Sequence, residues 1–417
     1  MDTSAKTADY KVEAAKNLQE VLDSLSAIFE FIDDRVGWPS DLLEKGTFEI
    51  VFSLKFTPAL DDHIKDDAVW HVLNECAKSN NFTTKYFMQR MRSYLREFTN
   101  KAPSSLVAIL QVNRMAYMSF PRFTHSIDGD IKFSANLKKA DQLALAKHNS
   151  NKLTLGLHDD FIFATTNIQA TDHRLAIDRA DRKFKYGLGV LNLVYRGYGV
   201  TKRFGYPNAP IGSFLSASSI FIVDRKRRKI GSYFSDNNFP RNFKRNFTYR
   251  DEFDDDASKF AARYIKQLNK IDFKDKFVQS VILFQEGLEA PSVDLALLKF
   301  WTGIEIICSK DSKEESKKII ERASSIFKNP TYIYKRLSFM QDFRNKIVHK
   351  GTSGDHALLC AQYGSIILAE LIRFCLFNKH KFYHHEQIIN YMSMPMNQAD
   401  LNNMMNLAKK RLASLPK

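Results

Sequence analysis

Hydrophobic residues in the N-terminal part of the chain follow both helical and strand spacings. Apolar residues at steps of three and four predict a long leading helix over residues 8–34. Its apolar positions are Leu18, Leu22, Leu25, Phe29 and Ile32. Strand-like segments read "TFEIVFSLKF", "SSLVAILQV", "DIKFSANL" and "FIFATTNIQ", and helices are predicted at 63–79, at 83–99 and within "TDHRLAIDRADRKFKYGLGVLNLVY". We therefore expect this part of the chain to be mixed α and β.

The segment "SSIFIVDRKRRKIGSYF" predicts a hairpin in which two apolar strands flank a basic turn. The turn carries five cations, which are Arg225, Lys226, Arg227, Arg228 and Lys229. Five cations on one turn repel each other, and a nucleic-acid backbone would relieve that repulsion. Contact with phosphates and a solvated turn both explain this cluster.

The sign of the charge reverses at "RDEFDDDA", residues 250–257, which is the clearest shift in composition along the chain. We place a domain boundary there, between an N-terminal mixed α/β domain at 1–250 and a C-terminal all-α helical bundle at 257–417. Glycine and proline separate the predicted C-terminal helices. These helices cover 257–270, 274–288, 292–308, 312–327, 331–350, 354–378 and 397–413. The predicted fold class is α+β.

Composition narrows the choice of partners. Apolar residues make up 44% and charged residues 26% of the 417 positions, a balance that argues against an intrinsically disordered chain. Lysine and arginine number 62 against 47 aspartates and glutamates, which gives a net charge of +15. Such an excess favours polyanionic partners such as nucleic acid or an anionic membrane, although plain basicity without a polyanionic partner is the simpler reading.

The sequence gives little reason to expect a metal, a cofactor or a membrane span. The four cysteines are far apart and form no CxxC pair, and "CLFNKHKFYHH" fits no closed zinc pattern. Motifs of P-loop nucleotidases, zincins and α/β-hydrolases are missing from the sequence. The first residues contain no apolar targeting segment, and no later stretch approaches the roughly 18 apolar residues of a membrane span. We expect a cytoplasmic protein without metal or cofactor.

The segment "DFRNKIVHKG", residues 342–351, places three polar residues on a predicted amphipathic helix. Asn345 and His349 share a helical face, and Arg344 is one step round from Asn345. Gly351 predicts the end of that helix, so His349 lies in its last turn. A histidine can exchange a proton with a ribose 2′-hydroxyl or a 5′-oxygen, while a guanidinium stabilises charge on the phosphorane. RNA cleavage without a metal requires these groups, and a symmetric dimer would supply a second histidine.

A second arginine and histidine, Arg373 and His380 in "RFCLFNKH", have a similar spacing, so spacing alone does not select the first pair. The context does, because residues 274–378 resemble the HEPN superfamily and in particular its Apea-like branch. In that branch an arginine and an asparagine precede a histidine and then a glycine, and "FRNKIVHKG" matches this form. Upstream, "ALLKFWTGIEIIC" and "IIERASSIF" are similar to the two helices that precede the motif in the branch.

This resemblance implies a helical bundle that forms a homodimer through its motif helices and acts as a metal-independent endoribonuclease. Such proteins cut tRNA or other RNA as toxins or as effectors of antiviral defence and abortive infection, when a partner or a phage-derived trigger activates them. The implied catalytic residues are Arg344, Asn345 and His349, with Glu305 and Arg322 as supporting residues. Lys346 and Lys350, beside the motif, and the five cations of the predicted hairpin turn are candidate RNA contacts.

Three alternatives stay open on the sequence alone. The Arg-Asn-His group is also explained as a capping and ion-pair cluster at a helix end. A non-catalytic nucleic-acid or protein interaction module would use the basic hairpin and only dimerise through the bundle. A motif that is active only inside a larger assembly is the third.

Overall fold

The structure is a computed structural model, and it has both helices and strands, as the α+β prediction requires. It describes residues 11–32, 35–37, 49–57, 62–100, 103–115, 126–127, 131–134, 137–149, 161–171, 173–194, 214–216, 219–224, 229–234, 266–268, 270–311, 313–351, 356–377 and 380–415. Contacts divide the chain into two compact units. The first comprises Met1–Leu106 and Ile168–Asp178, and the second comprises Val107–Asn167 and Arg179–Lys417. The predicted domain boundary at 250–257 lies outside the described residues.

In its described residues, the first unit contains short strands and helices. Its elements are β1 (Lys11–Ala14), α1 (Leu18–Ser26), β2 (Glu30–Ile32), β3 (Arg35–Gly37), β4 (Leu54–Thr57), α2 (Asp62–Lys78) and α3 (Thr84–Asn100). Strand β1 pairs with β4, and β2 pairs with β3, both antiparallel. The predictions of α2 and α3 are confirmed.

The predicted leading helix over 8–34 is wrong, because only nine of its described residues, 11–32, are helical in α1. The apolar residues Leu18, Leu22 and Leu25 are buried as the helical spacing requires. Before them, Val12 pairs with Phe56 of β4, and after them Phe31 pairs with Val36 in a small hairpin. Strand pairing satisfies the backbone groups on both sides of α1, which local spacing does not predict. Likewise, "TFEIVFSLKF" is helical at 49–52 and extended only at its end, in β4.

A six-stranded sheet lies largely in the second unit. Its strands are β5 (Ser104–Met115), β6 (Ser126–Ile127), β7 (Ile131–Ser134), β8 (Phe161–Ala170), β9 (Ile220–Asp224) and β10 (Lys229–Phe234), in the order β10-β9-β5-β8-β7-β6. Strands β9 and β10 form the predicted hairpin, with a register shift between Ile230 and Ser232. Two further helices are α4 (Lys139–Asn149) and α5 (His173–Val194).

Seven helices of eight or more residues follow in the described residues of the C-terminal part. They are α6 (Lys274–Glu289), α7 (Val293–Cys308), α8 (Ser316–Ser325), α9 (Pro330–Lys350), α10 (Ala357–Phe377), α11 (His385–Met392) and α12 (Gln398–Ala413). Helix α7 packs against both α6 and α10. Gly287 allows the close approach of α6 to α7, because a Cβ atom there would lie 2.5 Å from the Phe300 ring. Helix α12 buries none of its residues.

Helix α10 is more apolar than the sequence analysis recognised. Residues Ala357–Leu376 are long and apolar enough to cross a membrane by length and composition, contrary to our expectation that no stretch reaches that limit. Within the structure 61% of this stretch is buried. Ala361, Leu368 and Leu371 are fully buried in the helical core. A buried core helix explains the composition of α10.

A buried polar network links α5 to α6 inside the second unit. The Asn192 side-chain amide donates to the Gln285 Oε1 atom at 2.8 Å and to the Phe214 carbonyl at 2.9 Å. Glu289 accepts from the Ser216 backbone N–H at 2.7 Å and from its hydroxyl at 2.9 Å. Burial raises the pKa of the Glu289 carboxyl, and these hydrogen bonds offset part of that effect. The C-terminal helices therefore share one compact unit with α5.

Candidate active site

The motif lies at the C-terminal end of α9. Pro330 occupies the first turn of this helix, and Gly351 caps its end with a φ of 75°, as the sequence predicts for a helix stop. The Gly351 N–H donates to the Ile347 carbonyl at 2.9 Å. Leu337, Met340 and Ile347 are buried, which fixes the side of α9 that faces the core. Val348 and His349 in the last turn are exposed to solvent.

The structure brings Arg344 and Asn345 together and leaves His349 exposed. The Arg344 Nη1 atom donates to the Asn345 Oδ1 atom at 3.2 Å, and both side chains are half-buried. Within the described part of the chain, no residue forms a hydrogen bond with the His349 imidazole. The exposed His349 imidazole is open to a ligand from solvent.

Helix geometry separates the two candidate catalytic groups. Arg344 and His349 are five residues apart, which corresponds to roughly 140° around the helix and about 7.5 Å along its axis. The structure records no contact of His349 with either Arg344 or Asn345. The structure thus joins Arg344 to Asn345, while His349 lies one turn beyond Asn345 and faces away from Arg344.

Aromatic rings and cations surround the motif on α9 and α10. The Phe343 ring lies beneath it, with its centroid 5.0 Å from that of Phe339 and 6.4 Å from that of His356. The Lys346 Nζ atom, predicted to contact RNA, is 4.8 Å from the Phe343 centroid, and its side chain is exposed. Lys350 is the last residue of α9.

Glu305 and Arg322 are held by structural partners. Glu305 accepts a hydrogen bond from the Trp301 indole at 2.6 Å. Arg322 forms two hydrogen bonds with the Glu314 carboxylate, at 2.6 and 2.8 Å, and donates to the Cys308 carbonyl at 3.0 Å and to the Ser393 hydroxyl at 2.8 Å. These bonds tie α8 to the end of α7 and to the end of α11. Glu314 is the partner that sequence reasoning missed.

The second arginine and histidine pair, Arg373 and His380, contacts other groups of the protein. Arg373 is buried and donates to the Leu193 carbonyl at 2.6 Å and to Glu370 at 2.8 Å. His380 packs among aromatic rings, with its centroid 4.6 Å from that of Tyr391. The structure therefore distinguishes this pair from Arg344 and His349, which spacing alone does not.

Histidines near the C-terminal end of the bundle have protein partners. The His384 Nδ1 atom lies 2.5 Å from the Asp272 carboxylate, and this contact lowers the pKa of Asp272. The His385 Nε2 atom is 3.0 Å from the Ile307 carbonyl, and burial lowers the pKa of His385. Among the described residues, no group of three histidine, cysteine, aspartate or glutamate side chains is placed to hold a metal ion.

The basic hairpin is only partly described. Lys229 begins β10 and pairs with Asp224 of β9, so the two strands meet directly at the turn. Arg225, Lys226, Arg227 and Arg228, the other predicted nucleic-acid contacts, lie outside the described residues. The hairpin itself is confirmed.

Comparison with known protein families, with curated proteins and with solved structures finds no match to this chain.

Proposed function

We propose that this protein is a metal-independent endoribonuclease of HEPN type that acts as a homodimer. The observation that carries the proposal is the exposed His349 in the last turn of α9, five residues after an arginine whose guanidinium is linked to Asn345. The helix ends directly after this group at Gly351, so the motif is presented at a helix end. The N-terminal mixed α/β part would sense or recruit, and the C-terminal helices would carry the nuclease.

The reaction needs proton transfer and stabilisation of negative charge. The ribose 2′-oxygen attacks the adjacent phosphorus, its proton passes to an imidazole, and the bond from phosphorus to the 5′-oxygen breaks as that oxygen takes up a proton. His349 would move the proton, Arg344 would stabilise the charge on the phosphorane, and Asn345 would orient the guanidinium. The products are a 2′,3′-cyclic phosphate and a 5′-hydroxyl.

A homodimer supplies what one motif lacks. One copy offers a single histidine, whereas the reaction uses one group to accept a proton and another to donate one. Because Arg344 and His349 face different directions on α9, one helix does not enclose a phosphate by itself. Two α9 helices facing each other across a two-fold axis would place two imidazoles and two guanidiniums in one cleft.

The biological setting proposed for this activity is cytoplasmic defence. The net charge of +15 suits an RNA substrate, with tRNA as one candidate. A cell must keep such an enzyme inactive until needed, which fits a toxin or an abortive-infection effector that a partner or a phage-derived trigger activates. No membrane partner is proposed.

The test is cleavage of RNA in the presence of EDTA. Purified protein is incubated with a tRNA mixture, and the ends of the products are mapped. We expect cyclic phosphate ends, and His349→Ala should lower the rate at least 100-fold, since general acid–base catalysis contributes that much or more. His380→Ala is the matched control and should cleave as the wild type does, because His380 belongs to the structural pair.

Cleavage that requires added Mg²⁺, or that survives His349→Ala, would contradict the mechanism. Binding of RNA without any cleavage, and dependent on the cations of the β9–β10 turn, would instead support a non-catalytic binding module.

A further inference from the structure

The outward face of α9 has residues at alternating steps of three and four. We define it by Tyr332, Lys335, Phe339, Asp342, Lys346 and His349. All six side chains are exposed. This spacing lines the residues up along one side of the helix. The face runs from the first turn of α9 to the candidate catalytic histidine.

Two aromatic rings of this face remain in water. Tyr332 and Phe339 are each 52% exposed, although a ring of this size gains most from burial. Phe339 is held in place, because its ring packs against that of Phe343 at 5.0 Å. A fixed ring with an open face is a suitable platform for another flat group.

A guanidinium is fixed beside these rings. The Arg336 guanidinium carbon lies 4.2 Å from the Tyr332 centroid and 3.5 Å from the Tyr363 centroid, so the group is held between two tyrosines. No carboxylate of the described residues forms an ion pair with Arg336. Its N–H donors, already oriented by the two rings, are available to an anion.

The charge of this face favours a polyanion over a protein helix. Lys335 and Lys346 on the face and Arg336 beside it give three positive charges against one negative charge on Asp342, a net of +2. Covering these cations with an apolar protein surface would remove their hydration without replacing it. A nucleic-acid strand would instead place phosphates near the cations and bases on the rings. Bases stacked inside a duplex do not expose their faces in this way.

We propose that the outward face of α9 binds single-stranded RNA next to the cleavage site. Phe339 and Tyr332 stack on unpaired bases, and Lys335, Arg336 and Lys346 contact the phosphates between them. Phe339 precedes His349 by ten residues, about 15 Å along the helix axis, so the stacked base belongs to a nucleotide that flanks the cut and does not adjoin it. This inference rests on the proposed function, because it assigns the substrate of the same site.

The test measures RNA binding separately from cleavage. In a His349→Ala background and with EDTA, fluorescence anisotropy reports binding of a labelled single-stranded RNA and of the same RNA annealed to its complement. We expect Phe339→Leu to weaken single-strand binding at least ~5-fold, as the loss of one base stack requires. Phe339→Tyr should bind within about twofold of the parent, because it keeps the ring.

Leu407→Ala, at an exposed apolar position on α12, is the control and should leave RNA binding unchanged. With His349 restored, Phe339→Leu should raise KM and keep kcat. Phe339→Leu that binds like the parent would overturn the inference, as would stronger binding of the duplex. Loss of a dimer in sedimentation velocity on Phe339→Leu would also overturn it, since the face would then be a contact between copies.

The outcome for this face is separable from that of the proposed function. Binding that depends on Phe339 in a protein that never cuts RNA would support the inference and contradict the nuclease. Cleavage that depends on His349, with RNA binding that does not change when Phe339 is replaced, would support the nuclease and contradict the inference.

Discussion

Arginines in the C-terminal helices differ in their surroundings, and these surroundings indicate different roles. Arg322 donates to the Cys308 carbonyl at the end of α7, to Glu314 before α8 and to Ser393 after α11, so its guanidinium is held by protein groups. Among the described residues, Arg344 forms one side-chain hydrogen bond, to its neighbour Asn345. Arg336 lies between two tyrosine rings. The sequence does not reveal the surroundings of Arg322 and Arg336, because Ser393 and Tyr363 come from distant segments.

Replacing Arg322 should destabilise the protein more than replacing Arg344. Arg322→Ala leaves the Glu314 carboxylate without its cation, and the Glu314 side chain is 10% exposed. Loss of one partner of such a buried pair lowers the unfolding free energy by about 3 kcal/mol. Arg344→Ala should lower the unfolding free energy by less than about 1 kcal/mol but abolish cleavage. Urea unfolding and the cleavage assay measure the two effects. Equal stability of the two variants would contradict the structural role of Arg322.

The loss of unfolding free energy on Arg322→Ala should depend on pH. The hydrogen bonds from Arg322 hold the pKa of Glu314 below its usual value of 4.5. A carboxyl with a lowered folded-state pKa contributes stability above its unfolded pKa and loses it as pH falls through the folded value. The gap in unfolding free energy between the wild type and Arg322→Ala should therefore be largest near neutral pH and narrow below pH 4.5.

At the scale of the element, sequence spacing predicted the long helices and the strands β5, β7, β8, β9 and β10, but not α11 or the region 8–34. Helices α6, α7, α9 and α12 begin and end within about one residue of their predicted bounds, because each has a regular apolar side and a proline, glycine or polar cap. Helix α11 was missed, since eight residues contain only two turns of spacing. The region 8–34 failed because pairing with β4 and β3 decides its backbone.

The end of α9 depends on a left-handed residue. Gly351 has a φ of 75°, and a Cβ atom there would meet nothing within 4 Å, so Gly351→Ala introduces backbone strain without a clash. We expect a loss of about 1 kcal/mol in unfolding free energy. Gly351→Asn should lose less, because asparagine tolerates this conformation. If both variants unfold like the wild type in urea, the cap does not determine the end of the helix.

At the scale of the whole molecule, the positions of the motif residues could be predicted from the sequence, whereas the packing of α6 against α5 could not. The motif residues lie on one helix, so local spacing placed Arg344, Asn345 and the helix stop. The link from α6 to α5 depends on Asn192 and Gln285, two isolated polar residues in apolar helical stretches that join across 93 positions of sequence. A shift in charge along the chain marks a composition change but does not report which elements pack together.

The last prediction concerns the oligomer that the proposed mechanism requires. If one cleft uses the histidines of two copies, a mixed dimer of wild type and His349→Ala is inactive. After equimolar mixing and complete exchange of subunits, about one quarter of the dimers contain two wild-type copies. The cleavage rate should therefore fall to roughly one quarter of the rate of wild-type dimers at the same total dimer concentration. His380→Ala mixed in the same way should leave the rate unchanged, because that ring packs among Phe374, Phe382 and Tyr391. A rate of one half would show that each copy cuts by itself, and the shared cleft would then be wrong even if His349 is catalytic.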